Sequence, residues 1–361
     1  MSSSVNSPPQ PLTGRSAGQS NTGLTLYSWA LLVFNVAVIL WGAWVRVTGS
    51  GAGCGSHWPT CNGQIIPQSS QMETVIEFVH RLTSGAAGLL VLGLVVWAFR
   101  AFKRGHAART GAVLSLGFIV LEGAVGALQV RLGLTADNAS IGRAIIQPIH
   151  FANTLLLLGA LYYTAASSAG TRLNWGQGRA TWAWIMGAGL LTLLLGATGA
   201  VTALGDTLFP TLPGETLLEG MKKTLDPASN FLLQLRIIHP ALALITTVAL
   251  VGFSAWLNRP HSRTGGSSAD ISRAGVTRAS QILLWTLGAQ MFAGILNLML
   301  KAPAFMQLLH LTLACALWVA VLNLFRAALE RSLSLSPASS SLREPPGEPL
   351  PLSPSQKGAQ A

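Results

Sequence analysis

The chain has 361 residues, of which 50% are hydrophobic and only 10% are charged, and its mean hydropathy is +0.49. This composition is typical of an integral membrane protein and excludes a soluble domain with a large core. The formal net charge of +11 would suit a nucleic-acid-binding protein, but the basic residues are distributed by membrane side and form no single patch. We therefore expect membrane lipid, and no nucleic acid, around this protein.

Eight apolar stretches are long enough to cross a bilayer, which takes about 20 residues each. They predict an all-α integral membrane fold. Segments 1–24 and 331–361 are rich in Ser and Pro and are predicted to be disordered tails. The predicted spans are residues 27–47, 78–99, 110–130, 145–167, 180–204, 233–257, 279–300 and 303–325.

The distribution of Lys and Arg predicts the topology. Fifteen of these residues fall on one side of the predicted membrane, and five fall in the opposite loops. Cytoplasmic loops carry the excess of Lys and Arg, so both termini are predicted to be cytoplasmic. The loop between the first two spans then lies on the outer face of a multi-pass protein of the plasma membrane.

Four histidines repeat with the spans. His80 and His239 stand near the outer ends of spans 2 and 6, and His150 and His310 near those of spans 4 and 8. His80 and His239 are 159 residues apart, and His150 and His310 are 160 residues apart. Each histidine precedes the next inner arginine by about 24–33 Å of helix, so all four lie at similar depth near the outer boundary.

This duplication predicts two pseudo-symmetric four-helix bundles, residues 25–170 and 178–330, each holding a pair of histidines. A single histidine at a span end is more often an interfacial residue than a ligand, but matched couples at equal depth favour ligation. Zinc prefers four ligands, or three and a water molecule. Two imidazoles from facing helices, surrounded by small residues, instead suit the axial positions of a heme.

The two halves differ three residues before their first histidine, where Glu77 corresponds to Arg236. A carboxylate can move protons or stabilise a developing cation, whereas an arginine would hold an anion. We therefore predict catalysis by Glu77 in the first half and a resident cofactor in the second. The alternative for Glu77 is a helix-surface salt bridge with Arg81, four residues later.

Arginines at the outer span ends are expected to pair with heme propionates, with interfacial snorkelling as the alternative. They are Arg46, Arg81 and Arg236. Cys54 and Cys61 lie seven residues apart in the loop after span 1. In an extracytoplasmic loop this pair favours a disulfide or a redox-active dithiol over a metal site, and a purely structural staple is the alternative.

Glu122 in span 3 and Gln290 in span 7 fall near corresponding places. An intramembrane carboxylate should face the bundle interior. The two residues therefore predict a polar slot common to both halves, and interhelical hydrogen bonding is the alternative role.

Taken together, these residues resemble the heme A synthase family over about residues 25–328. The resemblance rests on Gly-x-x-Val-Arg-x-Thr-Gly-Ser-Gly at the end of span 1, on the two-cysteine loop with its Trp-Pro and Cys-Asn-Gly, and on Glu-x-x-His-Arg in span 2. These motifs begin at Gly42, Cys54 and Glu77, and the three later histidines complete the pattern.

The resemblance implies oxidation of the C8 methyl group of heme O to a formyl group, which gives heme A. It implies that His239 and His310 ligate a resident heme b, and that His80 and His150 ligate the heme O substrate or heme A product. Glu77 matches the important acid of the family. Where Glu122 stands, the family pattern leads us to expect an uncharged amide.

The family also implies heme O synthase as the substrate donor and a terminal oxidase, or its assembly factors, as the acceptor; it identifies no electron partner. The competing hypothesis is a two-heme b-type cytochrome that only passes electrons. This hypothesis assigns no role to Glu77 or to the cysteine pair. A transporter is disfavoured, because the two sets of spans have equal orientation and no proline breaks a span at mid-depth.

Overall fold

A computed structural model describes residues 20–212, 214–259 and 267–335. Within these ranges eight helices are long and apolar enough to cross a membrane, which confirms the predicted all-α fold with eight spans. The helices α1 to α10 are Thr22–Val47, Met72–Ala101, Ala107–Arg131, Ile141–Ser168, Arg179–Leu208, Leu217–Leu225, Phe231–Gln234, Ile238–Leu257, Ser267–Met299 and Ala304–Leu335.

Two of these helices are short connections. Helix α6 lies between α5 and α7, and α7 continues through a 3₁₀ turn into α8, so that the sixth span runs from Phe231 to Leu257. Helix α1 begins within the predicted N-terminal tail, and α10 runs a few residues into the predicted C-terminal one. Residues 1–19 and 336–361, which make up the rest of both predicted tails, lie outside the described part of the chain.

Side chains just before several helices explain where those helices begin. The Asn21 side chain accepts a hydrogen bond from the Leu24 amide at 2.9 Å, and Ser140 does the same for the Arg143 amide at 3.3 Å. Such caps satisfy amide groups that lack a partner in the first helical turn. Thr216 and the residue three positions later form a reciprocal capping box at the start of α6.

The packing is that of a protein surrounded by lipid. Between 22% and 39% of each span's most apolar window is buried within the protein. Much of the apolar surface of the spans therefore faces outward, as a hydrocarbon environment permits. Polar contacts join the helices where they do meet: the Trp318 indole in α10 donates to the Leu155 carbonyl in α4 at 2.7 Å.

The helices pack in two sets that also contact each other. In the first set α3 packs on α4 and α2, and α1 packs on α2 and α4. In the second set α9 packs on α10, and α5 packs on α8 and α10. Helix α4 carries most of the contact between the sets, chiefly against α5, and α1 and α10 add to it. The pseudo-symmetric arrangement and the domain boundaries stay predictions.

Two lysines hold the loop segments that connect the helices of the second set around Glu215. The Glu215 carboxylate accepts a hydrogen bond from the Leu212 amide at 3.1 Å and pairs with the Lys223 ammonium at 3.0 Å. The backbone hydrogen bond first, and Lys223 second, hold the pKa of Glu215 below its usual value. Lys301 donates to the Glu215 carbonyl at 2.5 Å, which joins the α9–α10 turn to the connection after α5.

Gly111 allows α3 to approach α4 closely, and it provides a test of this packing. A Cβ atom at Gly111 would lie 2.5 Å from Thr164 Oγ1 and 3.1 Å from the Thr164 backbone. Overpacking of this kind costs about 1–3 kcal/mol, more than the ~1 kcal/mol that alanine gains over glycine in helix propensity. We expect Gly111→Ala to unfold at a lower temperature in detergent than the parent protein.

The matched control is Gly117→Ala in the same helix, where a Cβ atom would have nothing within 4 Å. This variant should unfold at or slightly above the temperature of the parent. The close approach of α3 to α4 would be contradicted if Gly111→Ala were as stable as Gly117→Ala.

Candidate functional site

The loop between α1 and α2 is closed by a disulfide and fixed against α2. Cys54 and Cys61 are bonded, which confirms the predicted disulfide. A Cβ atom at Gly53 would lie 2.4 Å from the Glu73 carbonyl oxygen, and Thr74 Oγ1 donates to the Gly53 carbonyl at 2.8 Å. The loop therefore lies directly on the first turn of α2, and only glycine fits at this contact.

Glu77 lies where the loop meets α2. Its side chain is buried, and Oε2 accepts a hydrogen bond from the Cys54 amide at 2.8 Å. Oε1 accepts from Arg81 Nη2 at 2.5 Å and from Arg81 Nε at 3.1 Å. Arg81 Nη1 donates to the carbonyls of His57 and Thr60. The salt bridge considered as the alternative for Glu77 is therefore present, and it ties the disulfide loop to the helix.

The first histidine pair lies on α2 and α4. His80 and His150 both lie toward the N-terminal ends of their spans. A Cβ atom at Gly42 would lie 2.9 Å from His80 Cε1, and one at Gly126 would lie 3.9 Å from His150 Cε1. The Nδ1 atoms of both histidines are buried without a hydrogen bond in the described part of the chain.

The second pair, His239 of α8 and His310 of α10, has ring centroids 6.3 Å apart and ring planes at 88°. Imidazole nitrogens bind metals at about 2.0–2.1 Å, so two rings on opposite sides of one ion have centroids roughly 6 Å apart. A Cβ atom at Gly199 or Gly294 would lie about 3 Å from the facing ring. Thr198 Oγ1 lies 3.3 Å from His239 Nδ1, which leaves Nε2 of that ring available.

The same local arrangement occurs four times. Each histidine ring packs toward a glycine on the preceding span, and at three of these four glycines a Cβ atom would lie within about 3 Å of the ring. The glycine–histidine couples are Gly42 with His80, Gly126 with His150, Gly199 with His239 and Gly294 with His310. Among the residues that the structure describes, no group of three or more His, Cys, Asp and Glu side chains could hold a metal ion. Paired imidazoles from facing helices suit the two axial ligands of a heme.

Glu122 and Gln290 occupy corresponding places beside these rings. Glu122 Oε1 lies 3.2 Å from His150 Nδ1, and Gln290 Nε2 lies 3.2 Å from His310 Nε2. The polar slot expected from the sequence is thus the immediate surroundings of the later histidine in each half. One half has an acid there, and the other has an amide.

Arg46 extends from α1 into the second set of helices. Its Nη1 donates to the Ala203 carbonyl at 2.5 Å and to Thr207 Oγ1, both in α5. Its Nη2 donates to Gln307 Oε1 in α10 at 3.0 Å. The guanidinium group therefore joins the two sets of helices, an arrangement different from the snorkelling considered as its alternative.

Arg236 has an acidic partner that the sequence analysis missed. Its Nε lies 2.9 Å from Asp206 Oδ1, and its Nη2 donates to the Phe209 carbonyl at 2.9 Å. Asp206 belongs to α5, so no spacing in the sequence links it to Arg236. Thr198, which lies beside His239, was missed for the same reason.

Comparisons with known proteins extend over this whole arrangement. Residues 25–322 match the sequence model of the COX15-CtaA family, described as cytochrome oxidase assembly protein. Two Thermus thermophilus proteins named protoheme IX farnesyltransferase, from different strains, are each 49% identical over 309 residues. The match takes in 84% of this chain and 48% of each relative, so the chain spans about half the length of these relatives.

A Bacillus mycoides protein named heme A synthase is 43% identical over 122 residues, which is 34% of this chain and 39% of that protein. The match to the family model runs from α1 into α10 and includes both histidine pairs, the disulfide loop and Glu77. The resemblance noted from the sequence is thereby confirmed. The chain belongs to the COX15-CtaA family of cytochrome oxidase assembly proteins, the family of heme A synthase.

Proposed function

We propose that this protein is a heme A synthase, which oxidises the C8 methyl group of heme O to a formyl group and so produces heme A. The observation that carries the proposal is the difference between the histidine pairs. Acids stand near the first pair at two places, Glu77 and Glu122, where the second half has Arg236 and Gln290. The Bacillus relatives named heme A synthase support the same reaction.

In this proposal His239 and His310 hold a resident heme b, and His80 and His150 hold the heme O substrate. A heme at the second pair would supply one-electron transfer. The protein's part is to present the imidazoles in couples, with each ring packed toward a glycine of the preceding span. The 6.3 Å between the rings of the second pair supports its assignment to axial ligation.

Glu77 is the proposed catalytic residue. A carboxylate beside the substrate pair accepts a proton from the methyl group as it is oxidised, or stabilises positive charge on that carbon. Arg81 and the Cys54 amide hold the carboxylate in one orientation, because both of its oxygens are bound. Such fixed surroundings place a charged group before the reaction begins.

The heme propionates are proposed to pair with Arg46, Arg81 and Arg236. Each of these arginines lies near the end of its span at which the histidines are found. Guanidinium groups bind carboxylates by paired hydrogen bonds, which suits these anions. The existing contacts of Arg236 with Asp206 and of Arg81 with Glu77 hold the two guanidinium groups in place.

We further propose that the protein spans the plasma membrane with both termini in the cytoplasm and the disulfide loop outside. The disulfide supports this orientation, since disulfides persist in oxidising compartments. Heme O synthase is the proposed donor of substrate, because the Thermus relatives are named protoheme IX farnesyltransferase and are about twice as long as the matched region. The family description supports a terminal oxidase or its assembly factors as acceptor.

A two-heme cytochrome that only passes electrons is the second candidate. One observation favours it: both oxygens of Glu77 are engaged by Arg81 and by the Cys54 amide, as they would be in a purely structural tie. The two candidates differ in what the loss of this carboxylate does to turnover.

Glu77→Gln tests the catalytic assignment. Since acid–base groups contribute about 10²–10⁴-fold, we expect heme A formation to fall by at least about 100-fold while both hemes stay bound. The measurement is chromatography of the extracted pigments after expression with a heme O source. Glu73→Gln, which changes an exposed acid of the same helix, is the matched control and should retain activity. Full turnover by Glu77→Gln would favour the electron-passing cytochrome.

Alanine substitutions of the four histidines test the two heme assignments. Without a heme O source, His239→Ala and His310→Ala should lose the resident heme, whereas His80→Ala and His150→Ala should keep it. With heme O supplied, the latter two should fail to bind the substrate. The measurement is the absorbance spectrum and heme content of the purified protein.

His106→Ala is the control for this set, because that ring stacks on Phe102 and lies at the start of α3, away from both pairs. It should retain the heme content of the parent. A resident heme that survives both His239→Ala and His310→Ala would overturn the assignment.

A further inference from the structure

Glu122 of α3 contacts three polar groups of α4. Its Oε2 accepts a hydrogen bond from Asn153 Nδ2 at 2.6 Å, and its Oε1 accepts one from Thr154 Oγ1. Its Oε1 also lies 3.2 Å from His150 Nδ1. Asn153 donates in addition to the Phe118 carbonyl at 2.9 Å, which anchors the cluster to α3. One carboxylate thus fixes the helical turn that carries a proposed heme ligand.

The corresponding residue in the second half makes a different contact. Gln290 approaches His310 at Nε2, at 3.2 Å, and His310 Nδ1 is buried without a hydrogen-bond partner in the described part of the chain. Glu122 instead approaches His150 at Nδ1, which leaves Nε2 of that ring free. The two halves therefore offer a matched pair of positions that differ in charge and in the ring nitrogen that they address.

A metal-binding histidine generally donates its second ring N–H to an acceptor, which fixes the tautomer and the ring plane. The hydroxyl and amide donors on Glu122 show that its oxygens serve as acceptors. The 3.2 Å approach to His150 Nδ1 is not aligned as a hydrogen bond. The hydrogen bond therefore requires a change in the orientation of the imidazole.

Building on the proposed function, we propose that Glu122 is a positioning residue for the substrate heme: it accepts the Nδ1–H of His150 and thereby directs Nε2 of that ring to the heme iron. An acceptor of this kind also makes the imidazole a stronger electron donor. The iron at the first pair is consequently harder to reduce than it would be with an amide at position 122. The acid at 122 and the amide at 290 thus give the two hemes different reduction potentials.

The test uses the full-length protein, purified with heme at both pairs, in a spectroelectrochemical titration. His80→Ala, which removes the heme of the first pair, identifies which transition belongs to which heme. In Glu122→Gln we expect the reduction equilibrium of the first heme to move at least ten-fold toward the reduced form, which is ~59 mV for one electron. The heme of the second pair should not move. Heme O affinity should fall about 10–100-fold, as is usual when such a partner is lost.

Gln290→Glu is the reciprocal variant and should move only the heme of the second pair, toward the oxidised form. The unchanged heme in each variant reports that the protein is folded. The inference is overturned if Glu122→Gln leaves both the potential and the heme O affinity within two-fold of the parent. If the parent nevertheless makes heme A, the proposed function is retained and only the role of Glu122 is rejected. If the parent binds no heme at His80 and His150, the proposed function fails as well.

Discussion

The structure depends on the requirement that polar groups inside a membrane have partners within the protein, because hydrocarbon offers none. Nearly every intramembrane charge described above is paired across helices or to a loop. Glu77 is paired with Arg81 and the disulfide loop, and Asp206 is paired with Arg236. These pairings fix the disulfide loop on α2 and join α5 to the connection before α8, close in sequence to His80 and His239.

The imidazoles are the exception to this rule. Buried ring nitrogens of His80, His150 and His310 lack hydrogen bonds in the described part of the chain, and each of these rings packs toward a glycine of the preceding span. A buried polar nitrogen without a partner is costly in an apolar environment. In the proposed function, a metal centre bound at each pair supplies the imidazoles with a partner.

Hydropathy and spacing were sufficient to predict the eight spans and the four equivalent histidines, since both are local or periodic properties of the chain. The likeness of spans 3 and 7 also placed Gln290 opposite Glu122. Hydropathy and spacing could not predict which side chains of different helices contact each other. Asp206 meets Arg236 only because α5 packs beside the connection to α8, and nothing in the spacing of the two residues signals it. The glycines facing the histidines were visible as small residues, but their partners depend on how the helices cross.

Arg46 has a consequence for the architecture as a whole. Its guanidinium group belongs to α1, but the hydroxyl and carbonyl groups that receive its hydrogen bonds belong to α5 and α10. If the chain were divided between α4 and α5 into separately made polypeptides, the Arg46 guanidinium group of the first would lack these hydrogen-bond acceptors on an apolar surface. The first fragment would then depend on the second for these hydrogen-bond acceptors, so Arg46 favours keeping the two sets of helices in one chain.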